Sequence, residues 1–250
     1  MAKYITVAGK GGTGKTTFTA LLIKYLINHN MKPILAVDAD PNSNLNEALG
    51  LDVGNTISDI LADVKDPKAV PTGMTKDMYV EYKLSQSIIE TKDVDLLVMG
   101  GPPGPGCYCY ANDLLRKHLE QLGANYDYVV IDSEAGLEHI SRKTIPRVDY
   151  LFVISDSSAR GIRSAGRINE LVQSLKTPIN NISLIVTKVT GNQIKDLEQE
   201  IAKTGLVLSG EIPYDNTLME YDLQSKALVN LPSDNPAVQA VNNILDKVSF

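Results

Sequence analysis

Seven short apolar runs recur along the chain: YITVAG from Tyr4, PILAVDAD from Pro33, DLLVMGG from Asp95, YVVIDSEAG from Tyr128, YLFVISD from Tyr150, SLIVTKV from Ser183 and LVLSGEIP from Leu206. These runs are continuous, whereas a strand with one wet face would alternate apolar with polar, so they fit strands covered on both sides. Longer stretches of helical period separate them, among them Thr16 to His29 and Gly161 to Leu175. The alternation predicts βαβ units, and hence a three-layer α/β fold with a mostly parallel central sheet of about seven or eight strands flanked by helices. Residues 63–93 are more polar and carry no decisive period. The segment AVQAVNNILDKVSF from Ala237 has helical period with a single lysine and a single aspartate, so it is expected to dock on the core and not on a membrane surface. No repeat, low-complexity tract or linker divides the sequence, and one domain over residues 1–250 is expected.

In parallel α/β sheets ligands gather beyond the carboxyl ends of the strands, so the residues after each run carry the most weight. Directly after the first run comes GKGGTGKTT, which fits G-x-x-x-x-G-K-[ST]. Gly9, Gly11, Gly12 and Gly14 let consecutive N–H groups curl around phosphate oxygens, with Thr13 and Thr17 completing the loop and the following helix adding its positive end. Lys15 would neutralise the β- and γ-phosphates, and the Thr16 hydroxyl would ligate magnesium. This is the pattern of a P-loop that cradles the phosphates of a nucleotide. Two further strand ends supply carboxylates, Asp38 and Asp40 in DADP and Asp132 in DSEAG, which can hold a magnesium shell and orient an attacking water.

A second lysine, Lys10, opens the loop, and an ordinary phosphate loop has no need of it. With KGGTGKT around it, the chain resembles the deviant Walker A family of MinD, ParA and the nitrogenase iron protein. The resemblance implies a homodimer in which Lys10 reaches the partner's phosphates, an electrostatic finger in trans; an arginine finger in GTPases contributes on the order of 10³ to 10⁵ in rate. It further implies that Lys10, Lys15 and Asp40 are catalytic, Asp40 positioning water. Asp38 would support the magnesium shell, Asp132 would be the second-switch acid near the metal, and Gly136 would sense the γ-phosphate. For the base, Thr187 stands where the family usually has asparagine. Thr187, Lys188, Ile212 and Pro213 are the expected adenine-side contacts.

The stretch GPGCYCYAN holds the chain's two cysteines, Cys107 and Cys109. In an extended segment residues i and i+2 project to one side, so two thiols could face one way. Two thiolates are half of a tetrahedral site, and a two-fold dimer axis would bring the same pair from each subunit. Zinc, nickel, copper(I) and an iron–sulfur cluster all suit such sulfur ligands. GPGCYCYANDLLR with DSEAGLEHISR further resembles the CooC/AcsF group of nickel-insertion ATPases. That resemblance implies one zinc or nickel ion per dimer on Cys107 and Cys109, and delivery to a carbon monoxide dehydrogenase or acetyl-CoA synthase apoenzyme. A metal role for His139, in the same second-switch run as Glu138, is a weaker expectation. Two other classes use the same ATPase: MinD- or ParA-type positioning ATPases, and electron donors like the iron protein. The CxC pair sets the chain apart from the first. The second takes a cysteine from the second switch, where Ser133 to Leu137 has none.

Charge and cysteine usage narrow the setting. A net charge of −6 argues against a broad nucleic-acid footprint. No apolar run is long enough to span a bilayer, and two cysteines cannot make a disulfide framework, so a cytoplasmic protein without membrane or nucleic-acid partners is expected.

Overall fold

A computed structural model describes residues 2–64, 68–101, 109–136, 145–174 and 179–250, with the side chains of 109–114 left undescribed. Its strands are β1 (Lys3–Gly9), β2 (Ile34–Asp38), β3 (Asp95–Val98), β4 (Tyr128–Ala135), β5 (Val148–Asp156), β6 (Ile179–Val189) and β7 (Val207–Pro213). Around them run α1 (Lys15–Asn28), α2 (Leu45–Leu49), α3 (Ile57–Asp63), α4 (Lys76–Ser87), α5 (Cys109–Leu122), α6 (Ala159–Ser174), α7 (Gln193–Lys203), α8 (Asn216–Leu223) and α9 (Pro236–Leu245). The strands form one seven-stranded sheet in the order β3-β2-β4-β1-β5-β6-β7, every neighbouring pair parallel. This is the predicted three-layer α/β arrangement.

The continuous apolar runs are explained by two cores, one on each face of the sheet. On β1, Ile5 and Val7 join Phe18, Leu22 and Leu26 of α1 and Val241 of α9, while Tyr4 and Ala8 face Ile57, Leu119 and Ile162 on the other side. Phe18 meets Phe152 of β5 edge-to-face with centroids 5.3 Å apart, an aromatic contact that adds to the area both rings bury. Because β1 lies mid-sheet between β4 and β5, the loop that follows it opens at the centre of the carboxyl edge.

The polar stretch at 63–93 contains α4, with α3 ending at its first residue, and each helix is started by a side-chain cap. Thr56 accepts from Asp59 N–H while the Asp59 carboxylate accepts from Thr56 N–H, and Thr75 accepts from Met78 N–H. The expected docking helix is α9, with Pro236 in its first turn and Asn235 accepting from Ala237 and Val238 N–H. Its apolar face of Ala237, Val238, Val241, Ile244 and Leu245 is buried. Among the described residues no helix is long and apolar enough to cross a membrane.

Candidate functional site

The loop between β1 and α1 is shaped by glycine where no other residue fits. Gly12 and Gly14 have φ of +77° and +87°, and a Cβ on Gly9 would stand 2.3 Å from the carbonyl oxygen of Ile154. Protein donors then occupy three of the loop's carbonyls. Lys10 O accepts from Thr13 Oγ1 at 2.8 Å and from Lys15 Nζ at 3.4 Å, Gly12 O accepts from Lys188 Nζ at 2.8 Å, and Thr13 O accepts from Thr187 Oγ1 at 2.7 Å. A loop whose carbonyls are tied back to the protein presents its amide dipoles to the cavity, the arrangement an anion needs. Lys15 is buried in this cradle with only 7% of its surface exposed.

Thr187 and Lys188 are thus struts beneath the loop. Thr187 is buried, its hydroxyl shared between Thr13 O and, at 3.2 Å, Ser155 O. Lys188 takes a left-handed conformation, φ +56°, which turns its side chain back from the end of β6 over the loop. Both also line the cavity that was expected to take the base.

The acidic residues converge as the sequence suggested. Parallel register sets Asp38 of β2 beside Asp132 of β4. Asp132, 1% exposed, accepts from Thr16 Oγ1 at 2.6 Å and from Thr19 Oγ1 at 3.2 Å. Burial pushes its carboxyl up to about 6, against the pull of the Thr16 hydrogen bond and the Lys15 charge. Asp38 is fully buried and accepts from the N–H groups of Asp40 and Leu45 at 3.1 and 2.9 Å. Burial, with a smaller contribution from the neighbouring Asp132 and Asp40, outweighs those hydrogen bonds and pushes it up to about 7. Asp40 sits half-buried on the cavity wall, its Oδ1 accepting from Asn42 N–H and Nδ2. Gly136, φ +108°, donates its N–H to Gly9 O at 3.1 Å, which places the end of β4 against the phosphate loop.

A cavity of about 680 Å³ joins these pieces. Phosphate-loop residues Gly11, Gly12, Gly14, Lys15, Thr16 and Thr17 line one end, with Asp40 on the wall, and Thr187, Lys188, Ile212 and Pro213 line the other. Gly9, Lys10 and Thr13 build the loop from behind its lining. Sequence reasoning missed Thr19, one turn along α1 from Thr16 on the same face, and Tyr214, which lines the base end beside Pro213. The i, i+3 spacing could have found the former.

The residues present fit a magnesium ion. A Thr16 hydroxyl and two buried carboxylates whose protonation burial favours form an oxygen site that a divalent cation would relieve. The second expected metal site is another matter. Cys107, Glu138 and His139 lie outside the described residues, and Cys109 is the first residue of α5, so the extended reading of the pair meets a helix start there. Among the described residues no group of three or more His, Cys, Asp or Glu could hold a metal ion.

A strand, a glycine-shaped loop on the helix that carries Lys15 and Thr16, and acids at the adjacent strand ends define a P-loop ATPase. The chain belongs to the CobQ/CobB/MinD/ParA nucleotide-binding domain family, whose profile matches residues 4–229. It is 44% identical over 247 residues to an uncharacterized ATP-binding protein of Methanocaldococcus jannaschii, covering 98% of this chain and 97% of that one. The carbon monoxide dehydrogenase accessory protein CooC of Rhodospirillum rubrum is 30% identical over 233 residues, 87% of this chain and 86% of that one. Among solved structures, the MinD cell division protein of Aquifex aeolicus superposes with a TM-score of 0.73 at 25% identity, covering 100% of this chain and 98% of that one. MinD of Pyrococcus horikoshii, complexed with Mg-ADP, superposes with a TM-score of 0.74 at 22% identity over 100% of this chain and 96% of that one.

Proposed function

We propose that this ATPase is a cytoplasmic metal-loading factor: a homodimer, one domain per chain, that holds a zinc or nickel ion on Cys107 and Cys109 of both subunits. It would deliver nickel to a carbon monoxide dehydrogenase or acetyl-CoA synthase apoenzyme. The observation that carries the reading is the likeness to the carbon monoxide dehydrogenase accessory protein over 87% of the chain, joined to the CxC pair at the entry to α5.

At the nucleotide, Lys15 and the loop amides neutralise the phosphates, and Lys188 and Thr187 hold the loop in shape for them. Thr16, Asp132 and Asp38 would hold magnesium, which would supply charge neutralisation at the phosphates. Asp40 orients the attacking water, and Lys10, exposed at the start of the loop, is free to approach a partner's phosphates. Ile212 and Pro213, which line the same cavity as Thr187, offer an apolar slot for the base. ATP moves a metal only if it binds two dimer arrangements with different affinity, so that the four-thiolate site is intact in one and spread in the other.

Metal content and native mass of anaerobically purified protein, with and without ATP, test this against a Cys107→Ser/Cys109→Ser variant. The expected result is about one metal per dimer, lost in the double variant and changed by ATP. Metal-free protein that refuses nickel and zinc yet dimerises on ATP would overturn it in favour of a positioning ATPase.

A further inference from the structure

Three of the chain's six arginines fall on one exposed face of α6: Arg160, Arg163 and Arg167. Their spacing sets them in a row about 10 Å long at 1.5 Å rise per residue, while Ile162, Ala165, Ile168 and Val172 face the core. Beside the row, α6 and α7 approach closely, since a Cβ on Gly166 would stand 3.5 Å from Thr204 Cα. That contact floors a surface cleft walled by Arg163, Arg167, Glu170, Glu200 and Lys203.

The cleft already holds one carboxylate. Glu200 accepts from Arg163 at 3.3 Å and from Lys203 at 2.7 Å, and these cations keep its carboxyl below the ordinary value. Arg167 donates to the Ser164 hydroxyl, and neither Arg160 nor Arg167 makes an ion pair among the described residues. In a protein of net charge −6 such a row of guanidinium groups is a local reversal of sign.

We propose that this face of α6 docks an acidic segment of a protein partner, its carboxylates paired with Arg160 and Arg167 and lying beside the Glu200 clasp. Guanidinium forks pair with carboxylates bidentately, and the row's spacing matches acidic side chains one helical turn apart. Duplex DNA fits less well: the row is one helix wide, Glu170 and Glu200 border it, and the rest of the surface is net acidic. The segment leading into α6 is tied to the phosphate loop. Ser157, just before α6, donates to Lys188 O at 2.9 Å, and Lys188 in turn donates to Gly12 O. The inference does not depend on the metal-loading reading.

Fluorescence anisotropy with a labelled glutamate-rich helical peptide tests it on the full chain at low and physiological ionic strength. Arg160→Gln/Arg163→Gln/Arg167→Gln is expected to weaken binding about tenfold, and the control Lys76→Gln/Lys92→Gln/Lys247→Gln less than about twofold. Unchanged Mg-ATP hydrolysis reports that the arginine variant is folded. If it is not, the single variant Arg167→Glu, whose side chain contacts Ser164, is expected to weaken binding about threefold. Equal weakening in both triple variants, or a short DNA duplex that outcompetes the peptide at physiological salt, overturns the proposal.

Discussion

Buried aspartates stand at both ends of the sheet, and they are treated in opposite ways. At the amino end Asp149 accepts from Arg147 at 2.7 and 2.8 Å, from Tyr4 N–H at 2.9 Å and from Asn180 at 3.1 Å. Burial alone would raise its carboxyl, yet the Arg147 and Tyr4 hydrogen bonds with the Arg147 charge outweigh burial and hold it below the ordinary value. At the carboxyl end Asp38 and Asp132 accept, among the described residues, from neutral hydroxyl and backbone N–H donors, and burial pushes them up to about 7 and about 6. The amino end closes its electrostatics within the protein. The carboxyl end leaves negative charge for something else to complete, which is what a site for a cation and a polyphosphate requires.

The strongest way to break this comparison is Asp132→Asn. The amide can donate to one threonine hydroxyl and accept from the other, so both contacts survive while the buried charge goes. ATP hydrolysis is expected to fall by on the order of 10²-fold or more. The melting temperature of nucleotide-free protein in a chelator at mildly alkaline pH should stay level or rise. A clear fall in that temperature would mean that the carboxyl end, too, is closed for stability.

Asp149→Asn is the converse case and has the next largest expected effect. It should cost about 2 kcal/mol of unfolding free energy by leaving Arg147 and Tyr4 N–H poorly matched, with kcat for ATP nearly unchanged. The sign of its pH dependence follows from the depressed pKa. The carboxylate stabilises the fold above its ordinary value of 3.8, and that contribution disappears as pH falls through the lower folded value. Acid titrations of stability should therefore be flatter below about pH 4 in the variant than in the wild type.

Thr187→Val sharpens the picture with the smallest effect. This polar group lies at the functional end yet spends its hydroxyl inside the protein, on Thr13 O and Ser155 O. Losing it is expected to cost about 1 kcal/mol in stability and to raise KM for ATP severalfold, with kcat close to wild type. A fall in kcat with KM unchanged would instead place Thr187 in the chemistry.

These residues also show what a sequence can and cannot reveal. All seven strands were legible as short runs: burial on both faces writes β1 to β5 as apolar stretches, whereas the edge strand β7 has only Ile212 buried, and the phosphate loop was legible because its glycines are demanded by sterics. The convergence of Asp38 and Asp132 followed from their places at strand ends. The helix α4 was not legible, since its signal lies in the cap at Thr75 and not in a wide apolar stripe. Thr187 lines the cavity as expected of a base-side residue, but that its hydroxyl goes to Thr13 O and Ser155 O was not legible, because pattern gives a residue's neighbourhood and not the direction of its hydrogen bond. Tyr214 was overlooked for a similar reason: one exposed aromatic after a proline carries no period.

The last helix carries a consequence of its own. Lys24 of α1 donates to Val229 O at 2.6 Å, Tyr25 of the same helix donates to Asp246 just past α9, and α9 covers the apolar face of the helix that begins with Lys15 and Thr16. Distant parts of the gene are thereby bound to a common fate. Removing the segment around 237–246 would therefore strip the helix that carries Lys15 and Thr16 of its apolar cover, although that segment lies more than two hundred residues away along the chain.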